Sequence, residues 1–375
     1  MTYPVRQFPF AELPDTLHPT ATAMHDSPPA QPSVTVVIPH LKGRPMLDRC
    51  LDALFASGGI QPRVIVVDNG GPASDTRGIE TSRPDVEVLR LAANAGYAGG
   101  CNAGLRRCSS RYVVFMNDDA EVEPGWLEPL VAEAERDPSV GALQPKILSS
   151  KARREGRREF DYAGGAGGML DRLGYPFCLG RDFSGTEEDR GQYDLPMELF
   201  WASGVAMFAR REAVERLGGF DEGFFMHMEE IDLCWRMRLD GFHIRSVPSS
   251  IVWHEGGASL QQGSPMKVYY NHRNAFAMLL RNRGAAALWG VVPLRVLLEA
   301  ASILHYLAGG REGAGRARQV LRAAVHNLRD LGATLRWRRA VQRGRRVGDR
   351  ELFRGAPLSI LLSRSPVQAT ARGSQ

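Results

Sequence analysis

Arg111-Tyr-Val-Val-Phe-Met-Asn-Asp-Asp-Ala-Glu121 is the stretch from which the fold is read. Tyr112–Met116 is apolar, β-branched or aromatic throughout, the composition of a strand covered on both faces. It stops at Asn117-Asp118-Asp119, with Glu121 two residues further on. In open α/β sheets, ligands lie outside the carboxyl ends of the strands. Two adjacent carboxylates at such an end make a divalent-metal site or a general base, because crowded carboxylates repel unless a cation or proton intervenes. The plain alternative is a solvated acidic turn before a helix, since Glu123 and Pro124 suit a first helical turn.

Working outward, the same pattern repeats. Val34–Ile38 is a buried-type strand ended by Pro39, and a helix beginning at Pro45 keeps a 3.6 period through Met46, Leu47, Cys50, Leu51, Leu54 and Phe55. Gly58-Gly59 ends it. Arg63–Val67 is a second strand with Asp68-Asn69-Gly70-Gly71 at its carboxyl end, and Val86–Leu91 a third. A helix over 99–108 precedes Tyr112–Met116, a helix over 125–136 follows it, and Val140–Ile147 is a further strand. This alternation predicts an α/β fold with a mainly parallel central sheet flanked by helices. Three strands would then present Pro39-His40, Asp68-Asn69 and Asp118-Asp119 on one edge, where a nucleotide would lie. The loop from Asn94 to Gly104 is glycine-rich and runs into a helix. It lacks the dinucleotide fingerprint and the Walker lysine, but its glycines would let backbone N–H groups approach an anion. Plain turn-forming is the alternative for this loop and for Asp68.

Residues 149–195 read as a long irregular excursion of the functional kind. Phe200–Phe208 is strand-like and breaks at Ser203-Gly204; Trp201 suits either core packing or a sugar-stacking platform. A second acidic constellation follows in Gly218–Arg236. Ile231, Cys234, Trp235 and Arg238 fit one helix ending at Gly241, which puts Glu229 and Glu230 in its first turn. Asp232 and Arg236 form an i,i+4 pair. Capping alone would explain these acids. The aromatic approach through Phe224 and Phe225 would instead deliver them into a dry cleft, raising a carboxyl towards the range of a base. The strand Ile244–Trp253 ends at His254, a possible metal ligand.

The net charge of +5 is concentrated late, in the arginine-weighted segment 311–350, and only four basic residues are lysine. Nucleic-acid binding is not expected, because no recognition motif accompanies the charge. Five scattered cysteines argue for a reducing compartment rather than a disulfide framework. Residues 1–32 are proline-rich without apolar period and read as a flexible arm, with no basic and apolar leader pattern. No Ser-His-Asp pattern is present.

The order of the motifs Val36-Val-Ile-Pro39, Val66-Val-Asp-Asn69, Asn94-x-Gly-Tyr-Ala-Gly-Gly-x-Asn102, Asn117-Asp-Asp-Ala120, Glu229-Glu-Ile-Asp-Leu-Cys-Trp-Arg236 and Trp253-His254 resembles the family 2 inverting glycosyltransferases of GT-A fold, in particular the bacterial rhamnosyltransferase-like group. The resemblance covers about residues 33–280. It implies a nucleoside-diphosphate sugar donor, dTDP-rhamnose-like or a UDP-sugar, with Pro39, Asp68, Asn94, Gly96, Asn102, Asn117, Asp118 and Arg236 around it. Asp119 and His254 would hold Mg²⁺ or Mn²⁺. Glu230 would be the base, supported by Glu229 and Asp232, with Trp201, Ser203 and Gly204 on the acceptor side. The acceptor would be a glycan or lipid-linked hydroxyl in cell-envelope polysaccharide synthesis. The sequence departs from the family pattern at His40-Leu41-Lys42 after the first strand, and at Glu230, where relatives usually carry Asp and some carry Glu. The rival readings are a sugar nucleotidyltransferase, faintly suggested by Lys42-Gly-Arg44, and a non-catalytic sugar-nucleotide-binding scaffold.

The domain reading is an arm (1–32), a GT-A domain (33–282), a basic helical region (283–355) and a flexible tail (356–375). In the third segment Ala285–Ala308 is apolar but interrupted by Arg295, Glu299 and His305, which argues against a spanning helix. An interfacial helix followed by arginines fits peripheral contact with an anionic membrane from the cytoplasmic side. An ordinary helical cap with solvated arginines is the alternative.

Overall fold

β1 (Val34–His40) is buried along its whole length, as an unbroken apolar run requires. α1 (Arg44–Ala56), β2 (Arg63–Asp68), α2 (Ile79–Ser82), β3 (Val86–Arg90), α3 (Gly96–Leu105) and β4 (Tyr112–Met116) follow. β1 pairs in parallel with β2 and with β4, and β3 extends the sheet beyond β2. Val36, Ile38, Val64 and Val66 pack on one face against Leu47 and Leu51 of α1, while Val37, Ile65 and Val67 pack on the other against Ala98 and Cys101 of α3. The two-residue strand period thus feeds two core layers. The computed structural model describes residues 33–71, 74–182, 184–256 and 263–362. The expected N-terminal arm and residues 363–375 of the expected tail lie outside them.

The second half of the sheet is mixed. β5 (Ala120–Val122), α4 (Leu127–Arg136), β6 (Val140–Ser149), α5 (Ser150–Arg154), β7 (Gly167–Leu170), β8 (Pro176–Leu179), β9 (Glu198–Leu199), β10 (Ala206–Arg210), α6 (Arg211–Arg216), α7 (Glu229–Asp240) and β11 (His243–His254) complete this part. The sheet order is β3-β2-β1-β4-β10-β6-β11-β5, with β9 also on β11. β10 is antiparallel to β4 and β6, β11 is parallel to β6, and β5 is antiparallel to β11. β10 starts six residues later than the apolar run suggests, because Ser203-Gly204 makes a turn in which Ala206 N–H donates to Ser203 O (3.3 Å). The excursion is more ordered than its composition implies. It contains the antiparallel β7–β8 pair, and Asp189 anchors it through a buried ion pair to Lys146 of β6 (3.0 Å).

α8 (Pro265–Asn282), α9 (Ala285–Ala308), α10 (Gly310–Arg329), α11 (Leu331–Arg343) and α12 (Asp349–Leu352) belong to the same compact unit as the sheet. Phe353, just past α12, packs on the rings of Phe200 and Trp235. Residues 356–362, expected to open a flexible tail, are held to the domain. Arg172 N–H donates to Pro357 O and Ile360 N–H to Asp171 Oδ2, both at 2.9 Å.

Candidate active site

The carboxyl edge of β4 carries Asn117, Asp118 and Asp119. The short strand β5 decides what meets them. Its pairing sets Ala120 opposite His254, and Glu255 N–H donates to Asp119 O (3.1 Å). His254 Nε2 then lies 3.2 Å from Asp119 Oδ1, and its Nδ1–H donates to Asp161 Oδ1 (2.9 Å). The Asn117 amide lies 3.2 Å from the same Nε2. Although burial opposes it, the charges of Asp119 and Asp161 push the His254 imidazole up to about 10, and the imidazolium in turn holds the buried Asp119 carboxyl below its ordinary range. Two ligands of one cation at about 2.1 Å and near right angles sit about 3 Å apart, so the Asp119–His254 pair is spaced for a shared divalent ion that would displace the Nε2 proton. Asp161 on the far ring nitrogen is the orienting carboxylate such histidines carry. Among the described residues no three His, Cys, Asp or Glu side chains converge on one point. A cation here would draw its other ligands from phosphate oxygens and water, as Mg²⁺ and Mn²⁺ do. Glu121 is directed to Arg49 (3.4 Å) and stands apart from this pair.

Asp118 has a different partner. His40, at the end of β1, donates from Nδ1 to Asp118 Oδ2 and from Nε2 to Asp75 Oδ1, both at 2.6 Å. Asp75 is itself held by the N–H groups of Gly43 (2.9 Å) and Arg44 (3.0 Å). Burial works against the charged ring, yet the two carboxylates raise the His40 imidazole above its ordinary value. The departure from the family pattern after β1 is thus the residue that steers Asp118.

Several residues expected around the nucleotide are engaged by the loops that carry them. Asp68 is fully buried. It accepts from Gly70 N–H (3.0 Å), Thr76 Oγ1 (2.5 Å) and Ser74 Oγ, and these bonds outweigh burial to hold its carboxyl low. Pro39 is covered by α3, where a Cβ on Gly100 would fall 2.9 Å from it. Asn94 accepts from Gly96 N–H (2.8 Å) in a local turn, which starts α3 three residues before the expected position. Asn69 staples that turn to β2, accepting from Ala95 N–H and donating to Gly96 O, both at 2.8 Å. Asn102 faces the interior and brackets Phe220, donating to its O and accepting from its N–H, both at 2.9 Å. The glycines of α3 serve close helix–sheet packing: a Cβ on Gly104 would sit 2.3 Å from Val37 Cγ1.

Glu229 and Glu230 open α7. Glu229 is buried and Glu230 half-buried, and each has one carboxylate oxygen out of water with no hydrogen-bond partner among the described residues. Burial, with Glu230 alongside, raises the Glu229 carboxyl well above its usual range, and burial pushes Glu230 up to about 7. The approach loop is strained: Phe225, His227 and Met228 have φ of 65°, 67° and 72°, a region that disfavours side chains. α8 holds it there. Asn274 Nδ2 donates to Phe224 O (3.1 Å), Met226 O (2.9 Å) and His227 O (2.7 Å), and Arg273 to Gly223 O (2.7 Å) and Phe224 O (2.8 Å). The loop rests on Gly96, whose absent Cβ would lie 2.2 Å from Phe225 O. Tyr97 links the glutamates to the metal edge. It lies within the field of both and donates to Gly204 O (2.6 Å), next to Val205, whose carbonyl accepts from Asn117 N–H (3.0 Å).

The acceptor-side expectation is corrected in part. Trp201 is buried beneath the β7–β8 hairpin, its Nε1–H bound to Met169 O (2.8 Å), so it is core and offers no stacking face. Ser203 turns inward to Ala163 O (2.8 Å), and Gly204 contributes the carbonyl that receives Tyr97. Asp232, expected to support Glu230, and Arg236, expected near the nucleotide, form a buried strut. Arg236 Nε donates to Asp232 (2.7 Å), and its other nitrogens to Leu217 O (2.8 Å) and Gly219 O (2.9 Å), while Asn282 Nδ2 donates to Asp232 Oδ1 (2.7 Å). Sequence reasoning missed Asp161, Asp75, Arg273 and Asn274. The signal for the last two is polar residues on the buried face of an amphipathic helix; Asp161 has no local signal.

A family profile described as Glycosyl transferase family 2 matches residues 35–218, from β1 through α6. The chain belongs to glycosyl transferase family 2. Glu229, Glu230 and His254 lie beyond the matched span. The pre-mycofactocin glycosyltransferase of Mycobacterium tuberculosis strain H37Rv is 29% identical over 287 residues, covering 72% of this chain and 55% of that protein. The family 2 chain therefore spans about half the length of this relative. The N-acetylglucosaminyl-diphospho-decaprenol L-rhamnosyltransferase of the same strain is 26% identical over 272 residues, covering 70% of this chain and 87% of that one. Among solved structures, GalNAc-T7 with UDP, GalNAc and Mn²⁺ matches with a TM-score of 0.50 at 17% identity, over 66% of this chain and 47% of that chain. That likeness shows the GT-A fold.

Proposed function

We propose that this family 2 chain transfers a sugar, with inversion, from a nucleoside-diphosphate sugar to a hydroxyl of a glycan or lipid-linked acceptor. The observation that carries the reading is the buried Asp119–His254 pair, 3.2 Å apart and locked by Asp161, on the same sheet edge as Asp118. Asp119 and His254 would hold Mg²⁺ or Mn²⁺, and Asp161 keeps His254 Nε2 aimed at that position. Bound there, the ion would neutralise charge developing on the departing diphosphate. His40 holds Asp118 in place beside it. Glu230 takes the acceptor proton as the hydroxyl oxygen attacks C1 from the face opposite the diphosphate. Its raised proton affinity suits it to that task near neutral pH. A single displacement needs no covalent nucleophile. The name of the mycobacterial rhamnosyltransferase supports a rhamnose-type donor and a lipid-linked acceptor.

The test is nucleoside diphosphate release from a panel of UDP-, dTDP- and GDP-sugars, with Asp119→Asn and Glu230→Gln beside the wild type. The expected result is turnover of one donor that requires Mn²⁺ or Mg²⁺ and collapses in both variants. Equal release by Glu230→Gln overturns its assignment as base. Tight nucleotide binding without release from any donor, even with crude lipid acceptor, overturns the transferase reading.

A further inference from the structure

α9 is amphipathic in the reverse sense. Its charged residues face the protein: Arg295 is 1% exposed, donates to Leu173 O (2.9 Å), lies 3.8 Å over the Tyr175 ring and pairs with Glu299 (3.2 Å), which also binds His272 of α8. Its apolar residues face outward. Trp289 is 86% exposed, Leu297 66% and Leu304 69%, with Val296 and Leu307 beside them on the same helical face. The helix is long and apolar enough to cross a membrane by length and composition. Arg295 and Glu299, however, tie it along the flank of the domain. α10 adds exposed Leu321, Val325 and Leu328 on one of its faces, and α11 adds exposed Leu331 and Leu335 one turn apart. A notch of about 400 Å³, lined by Trp289, Val292 and Pro293 of α9 and Arg338 of α11, joins the helices into one surface.

Charge decides what covers this surface. α10 and α11 hold nine arginines against one acid, Glu312, with Asp330 between them. Arg311, Arg318, Arg329, Arg336, Arg339 and Arg343 are exposed and have no carboxylate partner among the described residues. A second copy packed about a two-fold axis would set this cationic rim against itself. An anionic lipid surface complements both features at once, accepting the apolar side chains below the headgroups and the arginines among them. We propose that the outer face of α9–α11 docks in the interfacial layer of an anionic bilayer, with α9 lying in its plane. This surface lies outside the donor and acceptor machinery, so its test does not read turnover.

The full-length protein would be sedimented with vesicles of phosphatidylcholine alone and of equimolar phosphatidylcholine and phosphatidylglycerol. The expected result is salt-sensitive binding to the anionic vesicles only. It should fall about tenfold or more in Leu297→Glu/Leu304→Glu and in Arg336→Glu/Arg339→Glu/Arg343→Glu. All five side chains are exposed, so neither variant disturbs the core. On the wild type, brominated acyl chains should quench a fluorescence component that Trp289→Phe removes. Equal binding by wild type and variants, or no binding, overturns the proposal. A dimer in light scattering that Leu297→Glu dissociates would assign the face to a second copy instead, and resistance of bound protein to alkaline carbonate would make α9 a spanning helix.

Discussion

Two carboxylate pairs, Asp118–Asp119 and Glu229–Glu230, are partnered in opposite ways. Each aspartate has a histidine of its own, His40 or His254, and each histidine is backed by a second carboxylate, Asp75 or Asp161. Among the described residues the glutamates have no such cations, and burial leaves one oxygen of each without a partner. A carboxylate bonded to a histidine is fixed in position, and the imidazolium holds Asp119 low even though burial keeps Asp118 raised beside His40. A carboxylate left dry and unpaired keeps a high proton affinity, which is what a general base requires. The difference teaches that partner assignment, rather than residue type, divides the labour.

The largest effect should come from breaking the unpaired side. Glu230→Gln should lower kcat about a thousandfold with little change in donor KM, because it removes proton transfer alone. Steady-state kinetics with the donor found above would check this, and a fall confined to KM would reassign Glu230 to binding. Next, Asp161→Asn loosens the paired side at one remove. Metal affinity should drop about 10–100-fold, and activity should return at high Mn²⁺; a loss that excess metal does not rescue would make Asp161 merely structural. Asn274→Ala releases the three loop carbonyls that aim the glutamates. It should lower kcat about tenfold and destabilise the fold by about 1–3 kcal/mol, read by turnover and by denaturant unfolding.

The smallest effect sharpens the comparison through pH. Glu230 is raised in the fold to about 7, so the folded protein retains a proton that the unfolded chain has already lost. Its contribution to stability is therefore intact below the ordinary carboxylate range and is lost as pH rises through about 7. Glu230→Gln should flatten that decline and be more stable than the wild type at pH 8 by on the order of 2 kcal/mol. Thermal melts across pH would show it. The wild type's kcat/KM should climb across the same window, as the base deprotonates.

Much of the frame was legible beforehand. Tyr112–Met116 is the strand its composition announces, α7 begins at Glu229 and ends before Gly241 as its period requires, and three strand ends do share one edge. What local pattern leaves open has a common physical cause. The family resemblance places Asp68, Asn94 and Asn102 near the nucleotide, and in the fold each also bonds the backbone of its own or a neighbouring loop. A buried polar group must be satisfied by something, and whether by loop or by ligand depends on which chain segment passes over it. Trp201 illustrates the converse: only the β7–β8 hairpin lying on top of it makes it core.

What the sequence by itself determined is whatever has a local period: strands with carboxylates at their ends, amphipathic helices, the dry first turn of α7 and a basic C-terminal region. What only the tertiary structure decided is which charges meet. His40 reaches Asp118 across 78 residues and His254 reaches Asp161 across 93, and Arg295 turns inward where composition alone would face it to water. Spacing along a chain sets the face a side chain occupies, through helix and strand geometry. Its partner is set by sheet order, by the short strand β5 and by the packing of α8 and α9, and local spacing carries no information about these.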